Sequence, residues 1–206
     1  NSARQGMFIK GKDARNPVLL YLHGGLPDYF LTDRYPTGLD AYFTVVWWEQ
    51  RGSGLSFSAG LPPETVNPEQ LVSDTLELTN YLRKRFGKEF GKRIPGSFTD
   101  EPELTPAGGW PWTEDLPAQF QKRWGYDLIA SLASLRAEVG DWKRVRNNYF
   151  QTLLDLFIER WGKPYFDYCA KHNLEFTGHY WEHGWPSCIG VPDNMAMSAW
   201  QQRPGI

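Results

Sequence analysis

Carboxylate side chains occur at two points of the 206-residue chain where an apolar segment of strand length gives way to a loop. Asp100 and Glu101 follow RIPGSFT, and Glu182 follows LEFTGHYW. Cleavage of a glycosidic bond needs two carboxyl groups that flank the bond, and clustered acids raise one another's pKa, as a general acid requires. We therefore predict Glu101 and Glu182 as the two catalytic carboxylates, with the roles of acid and of base or nucleophile left open between them.

Other side chains in these loops are suited to holding a substrate. Asp100 and His179 are expected to orient the substrate or the partner carboxylates. Eight of the ten tryptophans lie after residue 100. An indole face can stack on the apolar side of a sugar ring, although large aromatic side chains also fill protein cores. The tryptophans that we predict as sugar platforms are Trp110, Trp112, Trp181 and Trp185.

His179, Glu182 and His183 also permit a metal interpretation. Two histidines in a His-x-x-x-His spacing suit zinc when they share one face of a helix. Here the spacing falls on a predicted strand and the loop after it, so the two rings need not converge. We therefore predict no metal site from this pattern.

The elements that must position these residues follow from the apolar pattern. In the second part of the chain, two predicted strands are separated by helical segments, the longest of which starts at Asp141 and is kinked or restarted at Pro164. In the first part, PVLLYL and YFTVVWW are continuous apolar runs, typical of strands that are buried on both faces. Asn67 is the predicted cap of a helix that stops near Gly87. This order of elements is α/β.

The first part resembles the N-terminal third of α/β-hydrolases of the proline-iminopeptidase-like subgroup. The resemblance rests on VLLYLHGGLPDYF and FTVVWWEQRGSGLSFS, followed by the capped helix. It implies that His23, Gly24 and Gly25 form an oxyanion loop, in which glycines let backbone N–H groups approach a developing negative charge. Leu26-Pro27 replaces the usual Pro-Gly continuation, which implies a shortened loop.

The nucleophile of such an enzyme is missing from the sequence. The family needs a G-x-S-x-G elbow after the next strand, and no serine of this chain has glycine at both the second position before it and the second position after it. Without a serine, an acid and a histidine in order, no acyl-enzyme chemistry is expected. The first part is therefore predicted to be an inactive remnant of an α/β-hydrolase.

The second part resembles the (β/α)8-barrel catalytic region of bacterial glycoside hydrolases, with α-L-rhamnosidase-like enzymes as the nearest group. The resemblance rests on FGKRIPGSFTDEPEL, LPAQFQKRWGYDL and LEFTGHYWEHGWP. It implies a carbohydrate substrate or ligand, and catalytic groups at the carboxyl ends of strands. The resemblance also makes a calcium site of loop carboxylates possible, but we predict no cofactor.

We therefore predict an N-terminal α/β-hydrolase-like fragment, residues 1–89, joined to a partial (β/α) barrel fragment, residues 90–206, with neither fold complete. The join is placed at the near-repeat FGKE/FGKR, between Phe86 and Lys92. Three alternatives stay open: a fusion with weak or no activity, a glycosidase completed by another chain or by self-association through open sheet edges, and a non-catalytic carbohydrate-binding or interaction module.

Composition argues against several other classes. The net charge is −2 and there is no basic aromatic stripe, so nucleic acid is not expected as a partner. We expect a soluble protein of undetermined location, because no long apolar run and no signal-peptide core occur. The chain lacks an initiator methionine, so its start is expected to be missing, and its two cysteines are too few for a disulfide framework.

Overall fold

The computed structural model describes residues 3–22, 34, 36–104, 109–184, 187 and 189–205. The chain divides into two compact units, Asn1–Pro95 and Gly96–Ile206. Helices and strands alternate among the described residues, so the α/β class is confirmed, and none of these residues forms part of a closed barrel. No helix in the described part of the chain has both the length and the apolar character needed to cross a bilayer.

The first unit contains a three-stranded sheet in the order β1-β3-β2. Its strands are β1 Met7–Lys10, β2 Val18–Leu22 and β3 Thr44–Trp48. β3 lies in the centre, antiparallel to β1 and parallel to β2. This position explains its continuous apolar sequence, because residues 45–48 are all buried. The aromatic ring of Tyr21 stacks on Trp47 of the neighbouring strand.

One long helix, α1, Pro68–Phe86, completes the first unit. The predicted cap is confirmed, because the Asn67 side chain accepts a hydrogen bond from the backbone N–H of Gln70 at 2.7 Å. Gly87 follows the last helical residue, as predicted. Two short 3-10 turns flank the helix, Pro63–Thr65 before it and Gly87–Glu89 after it.

The second unit contains a parallel sheet in the order β4-β5-β6. Its strands are β4 Gly96–Asp100, β5 Glu175–His179 and β6 Arg203–Pro204. β4 and β5 approach closely at Gly178, which has a φ of +135°. A Cβ atom added to Gly178 would lie only 2.1 Å from the Thr99 carbonyl oxygen. Only a glycine fits this position, so Gly178 fixes the strand pairing just before both strands end.

Five helices cover this second sheet region among the described residues: α2 Leu116–Trp124, α3 Leu132–Arg136, α4 Trp142–Phe157, α5 Lys163–Lys171 and α6 Asn194–Ser198. A π-helical segment, Ile158–Gly162, separates α4 from α5, so the predicted restart near Pro164 is confirmed. α2, α3 and α4 bury one apolar core, which includes Leu116, Phe120, Leu128, Leu135, Val145, Tyr149, Leu153 and Leu156.

Two aspartates precede helices of the second unit without capping them. α2 begins after Asp115, but the Asp115 side chain makes no capping bond. It instead forms an ion pair with Arg160 and accepts the Thr113 hydroxyl. Asp141 likewise caps nothing and pairs with Arg144 at 3.0 Å. In both cases the carboxylate is paired with an arginine instead of with the backbone N–H groups of the first helical turn.

Candidate functional site

Two parallel strands end side by side at the candidate site. Asp100, the last residue of β4, lies opposite His179, the last residue of β5. Glu101 then turns in a left-handed conformation, with φ of +50°, while its N–H donates to the His179 carbonyl oxygen at 3.1 Å. This turn keeps the residues after β4 close to those after β5. We call Asp100, Glu101, His179, Glu182 and His183 the carboxylate–histidine cluster.

The His179 ring is held between two carboxylates. Its Nε2 lies 3.1 Å from Asp100 Oδ1, and its Nδ1 lies 3.3 Å from Glu182 Oε2. The ring is also in edge contact with Phe98, at 5.9 Å between centroids. His179 therefore fixes the direction of the Glu182 side chain, which would otherwise move freely at the surface.

The His183 ring lies between Glu182 and the third carboxylate of the cluster, Glu101. Its Nε2 lies 2.9 Å from Glu101 Oε1 and 3.8 Å from Glu182 Oε1. One oxygen of each carboxylate and this nitrogen all lie within 4.8 Å of one another. Trp181 packs edge-on against the His183 ring at 5.0 Å, which limits the positions that this ring can take.

Two imidazoles lower the pKa of Glu182. The largest cause is the hydrogen bond from His179, and the positive charges of His179 and His183 add to it. A lowered pKa favours the ionised carboxylate at neutral pH. In this arrangement Glu182 is suited to act as a base, a nucleophile or a metal ligand, and it is poorly suited to donate a proton.

The predicted tryptophan platforms do not form one group. Trp181 lies beside the cluster, through its contact with His183. Trp110 and Trp112 instead line a cavity with Leu132, Ala133, Leu135 and Arg136, and no residue of the carboxylate–histidine cluster lines it. Trp110 also packs on Tyr149 of the apolar core, at 5.5 Å between ring centroids. Trp185 lies outside the described residues.

The predicted oxyanion loop, His23, Gly24 and Gly25, also lies outside the described residues. The turn after β3 is described, and its charged side chains are buried. Glu49 accepts the Trp47 indole N–H at 2.8 Å, and Arg51 pairs with Asp74 of α1 at 2.7 Å. These contacts hold β3, the turn and the helix together.

Sequence reasoning missed the place of His183 in the cluster. The His-x-x-x-His spacing contains the signal, but a spacing that falls on a strand and a loop gives no reason for the two rings to converge. In the structure the two rings lie near different oxygens of Glu182: His179 Nδ1 is 3.3 Å from Oε2, and His183 Nε2 is 3.8 Å from Oε1.

Comparisons with known proteins give partial matches. No protein-family model matches the chain. A stretch of 89 residues, 42% of the chain, is 39% identical to a protein named "Probable aminopeptidase YbaC" from Bacillus subtilis (strain 168). The chain spans 28% of the length of that protein. Among solved structures, the rhamnosidase from Novosphingobium sp. PP1Y aligns with a TM-score of 0.47 and 23% identity, over 70% of this chain and 14% of the rhamnosidase.

An aminopeptidase is a hydrolase, so 42% of this chain is similar in sequence to part of a protein that is named as a hydrolase.

Proposed function

We propose that this chain derives from hydrolases and that its second unit carries a glycosidase-type pair of carboxylates, Glu101 and Glu182. The observation that carries the proposal is their spacing: oxygens of the two groups lie within 4.8 Å, beyond the ends of adjacent parallel strands. Carboxyl groups about 5–5.5 Å apart are typical of retaining glycosidases, whereas inverting enzymes need about 6.5–9.5 Å to accommodate a water molecule. The 4.8 Å limit joins single oxygens rather than the centres of the carboxyl groups, and it lies below the inverting range, so retention is the outcome that we propose.

The surroundings of the two carboxylates favour different roles. The His179 hydrogen bond keeps the pKa of Glu182 below its usual range, so Glu182 is the nucleophile. The other carboxylate of the pair, Glu101, is therefore the acid of the first step and the base of the second. Asp100 contacts neither carboxylate directly and orients His179.

The proposed reaction has two steps. Glu182 attacks the anomeric carbon while the bond from that carbon to the leaving oxygen breaks, and Glu101 gives its proton to that oxygen. A water molecule then attacks the same carbon, Glu101 takes the proton of the water, and the bond to Glu182 breaks. The sugar is released with its original anomeric configuration, and no cofactor is consumed.

Hydrolysis of aryl glycosides tests this proposal, with 4-nitrophenyl α-L-rhamnopyranoside as the first substrate. We expect slow turnover that falls on the order of 100-fold or more in Glu182→Gln and in Glu101→Gln. His172→Gln is the matched control, because His172 lies beside Tyr168 and outside the cluster. An aryl leaving group that needs no proton is expected to restore only the first step of Glu101→Gln, seen as a burst of released phenol, because the second step still lacks its base; Glu182→Gln should show no burst.

Two results would contradict the glycosidase proposal. The first is the absence of turnover with a panel of aryl glycosides. The second is equal turnover by the wild-type chain and the double variant Glu101→Gln/Glu182→Gln. Glycan binding that persists in that double variant would instead favour a non-catalytic carbohydrate-binding module.

The join between residues 1–89 and 90–206 is also part of the proposal. Two facts support it: the aminopeptidase match covers only 42% of the chain, and the chain separates into compact units between Pro95 and Gly96. Sequencing of genomic DNA across Phe86–Lys92 tests it. Even coverage across these codons is expected if the fusion is a natural gene. The absence of any read across them would exclude a natural fusion.

An aminopeptidase-type remnant is the second candidate, and the 39% identity to the named aminopeptidase favours it. The sequence contains no G-x-S-x-G elbow, so we expect no release of 4-nitroaniline from proline 4-nitroanilide. Turnover of this substrate that is sensitive to a serine-directed inhibitor would contradict the remnant interpretation.

We further propose that open sheet edges allow self-association. Among the described residues, β1 and β2 are the outer strands of the first sheet, and β4 and β6 are the outer strands of the second. An outer strand offers unpaired backbone groups to another chain. Light scattering is expected to show an average molar mass that rises with protein concentration. A constant monomer mass would exclude self-association.

A further inference from the structure

The carboxylate–histidine cluster offers nitrogen as well as oxygen donors to a single point. His183 Nε2 lies 2.9 Å from Glu101 Oε1 and 3.8 Å from Glu182 Oε1. We propose that Glu101, Glu182 and His183 bind a divalent transition-metal ion, for which zinc is the reference ion. The proposal depends on this mixed donor set and not on a concentration of acidic side chains.

The donor spacing fits a small tetrahedral ion. Zinc binds nitrogen and carboxylate oxygen at about 2.0–2.2 Å, so tetrahedral donors lie about 3.3–3.6 Å apart. The observed separations of 2.9 and 3.8 Å lie on either side of this range. The two carboxylate oxygens lie within 4.8 Å of each other, so side-chain movements of roughly 1 Å would bring all three donors to the spacing that zinc needs. Three protein ligands also leave a coordination position for water.

The same donors do not fit the calcium site that the resemblance to rhamnosidases implies. Calcium takes six to eight oxygen ligands at about 2.3–2.6 Å, and imidazole nitrogen is not one of its usual ligands. Here the imidazole of His183 occupies the space between Glu101 and Glu182. Imidazole with carboxylate favours zinc, cobalt, nickel or copper.

Neighbouring groups already hold the proposed ligands in place. His179 Nδ1 binds Glu182 Oε2, and so leaves Oε1 directed towards His183. The Glu101 N–H is held by the His179 carbonyl oxygen. Hydrogen bonds of this kind orient metal ligands, and their loss typically lowers metal affinity about 10- to 100-fold. His179 is therefore a positioning residue for the ion.

The ligands are accessible to ions from solution. The exposed fractions of the side chains are 61% for His183, 47% for Glu182 and 28% for Glu101. A bound ion would occupy both proposed catalytic carboxylates, so zinc is expected to inhibit glycoside hydrolysis. This consequence rests on the proposed function, whereas binding itself does not.

The test is calorimetric titration of the full chain with zinc chloride, after removal of metal with EDTA. We expect one zinc ion per chain in wild type and in the control His172→Gln. The affinity should fall about 10- to 100-fold in His179→Gln, and on the order of 100-fold or more in His183→Gln and Glu101→Gln. Calcium chloride in place of zinc should produce no binding at the same concentrations.

Cobalt chloride gives a second readout on the wild-type chain. We expect visible absorption by bound cobalt and a change in the His183 ring ¹⁵N resonance. Both signals are measured on the wild-type chain, so they do not depend on the folding of a variant. Absence of zinc binding, unchanged affinity in His183→Gln, or preferential calcium binding would overturn the proposal. Zinc binding without glycoside turnover would support the metal site and contradict the proposed glycosidase function. Turnover that bound zinc does not slow would contradict only the expected inhibition of hydrolysis by zinc.

Discussion

Substitution of Asp74 by alanine is the sharpest test of how the first unit is held together. Asp74 Oδ2 accepts the Arg51 Nε–H at 2.7 Å, and Oδ1 accepts from Arg51 Nη2 at 2.8 Å. Gln70 donates to the same Oδ1 at 2.9 Å. The side chains of Arg51 and Asp74 are only 4% and 0% exposed, so water cannot replace the carboxylate easily.

The expected loss follows from this burial. Removal of one partner of a buried ion pair leaves an uncompensated charge and costs about 3–5 kcal/mol. A unit of 95 residues, Asn1–Pro95, has a total free energy of unfolding of about 5–14 kcal/mol at 0.05–0.15 kcal/mol per residue. Asp74→Ala is therefore expected to remove between about a fifth and nearly all of the stability of this unit.

Hydrogen exchange of the β3 peptide in rising urea is the appropriate assay, because it reports on the first unit alone. Asp13→Ala is the control, since Asp13 pairs with Arg15 at the exposed surface, and no measurable change is expected there. Arg51→Met/Asp74→Leu removes both charges and should recover most of the loss. Equal midpoints for Asp74→Ala and Asp13→Ala, or a double variant less stable than Asp74→Ala, would refute the reasoning.

Three further predictions concern the second unit. Gly178→Ala should destabilise it by at least about 1–3 kcal/mol, because the new Cβ meets the Thr99 carbonyl oxygen, whereas the Cβ of Gly60→Ala meets only the Ser58 hydroxyl at 3.9 Å and should leave the melting temperature of the chain unchanged. Tyr149→Phe should cost about 1–3 kcal/mol in urea unfolding, since the buried carbonyl of Pro111 loses its donor; an unchanged midpoint would contradict this bond. Burial raises the pKa of Tyr149 from 10.0 to about 12. The contribution of Tyr149 to stability is therefore complete below pH 10 and is lost as pH rises towards 12. A free energy of unfolding that stays constant between pH 10 and pH 12 would contradict this prediction.

Local patterns made much of the fold predictable. The apolar run of β3 predicts a strand buried on both faces, and the structure places β3 between two others. The cap at Asn67 depends only on residues within one helical turn. Once β4 and β5 are recognised as parallel neighbours, the proximity of Asp100 to His179 follows, because parallel strands end at the same edge of a sheet.

Contacts between distant residues were less predictable. The bond between Glu101 and His183 requires both the left-handed turn at Glu101 and the strand register opposite His179. Neither can be read from a window of sequence. Trp110 was expected beside the carboxylates, but it packs on Tyr149 of α4 instead. Asp115 and Asp141 have the sequence of caps, yet nearby arginines determine their partners.

The geometry makes His183 the residue on which the two proposed uses of the cluster depend. A sugar can reach both carboxylates only if the His183 ring leaves the space between Glu101 and Glu182, whereas a metal ion needs the ring to remain there. The ring is 61% exposed and contacts Trp181 on one side, so rotation towards solvent is sterically open to it.

Removal of the ring in His183→Ala should therefore have opposite effects on the two processes. Zinc affinity should fall, because a ligand is lost, while access of an aryl glycoside to the carboxylate pair should improve and lower KM. A variant that loses both together would mean that His183 contributes to glycoside binding directly, and that the carboxylates alone do not define the site.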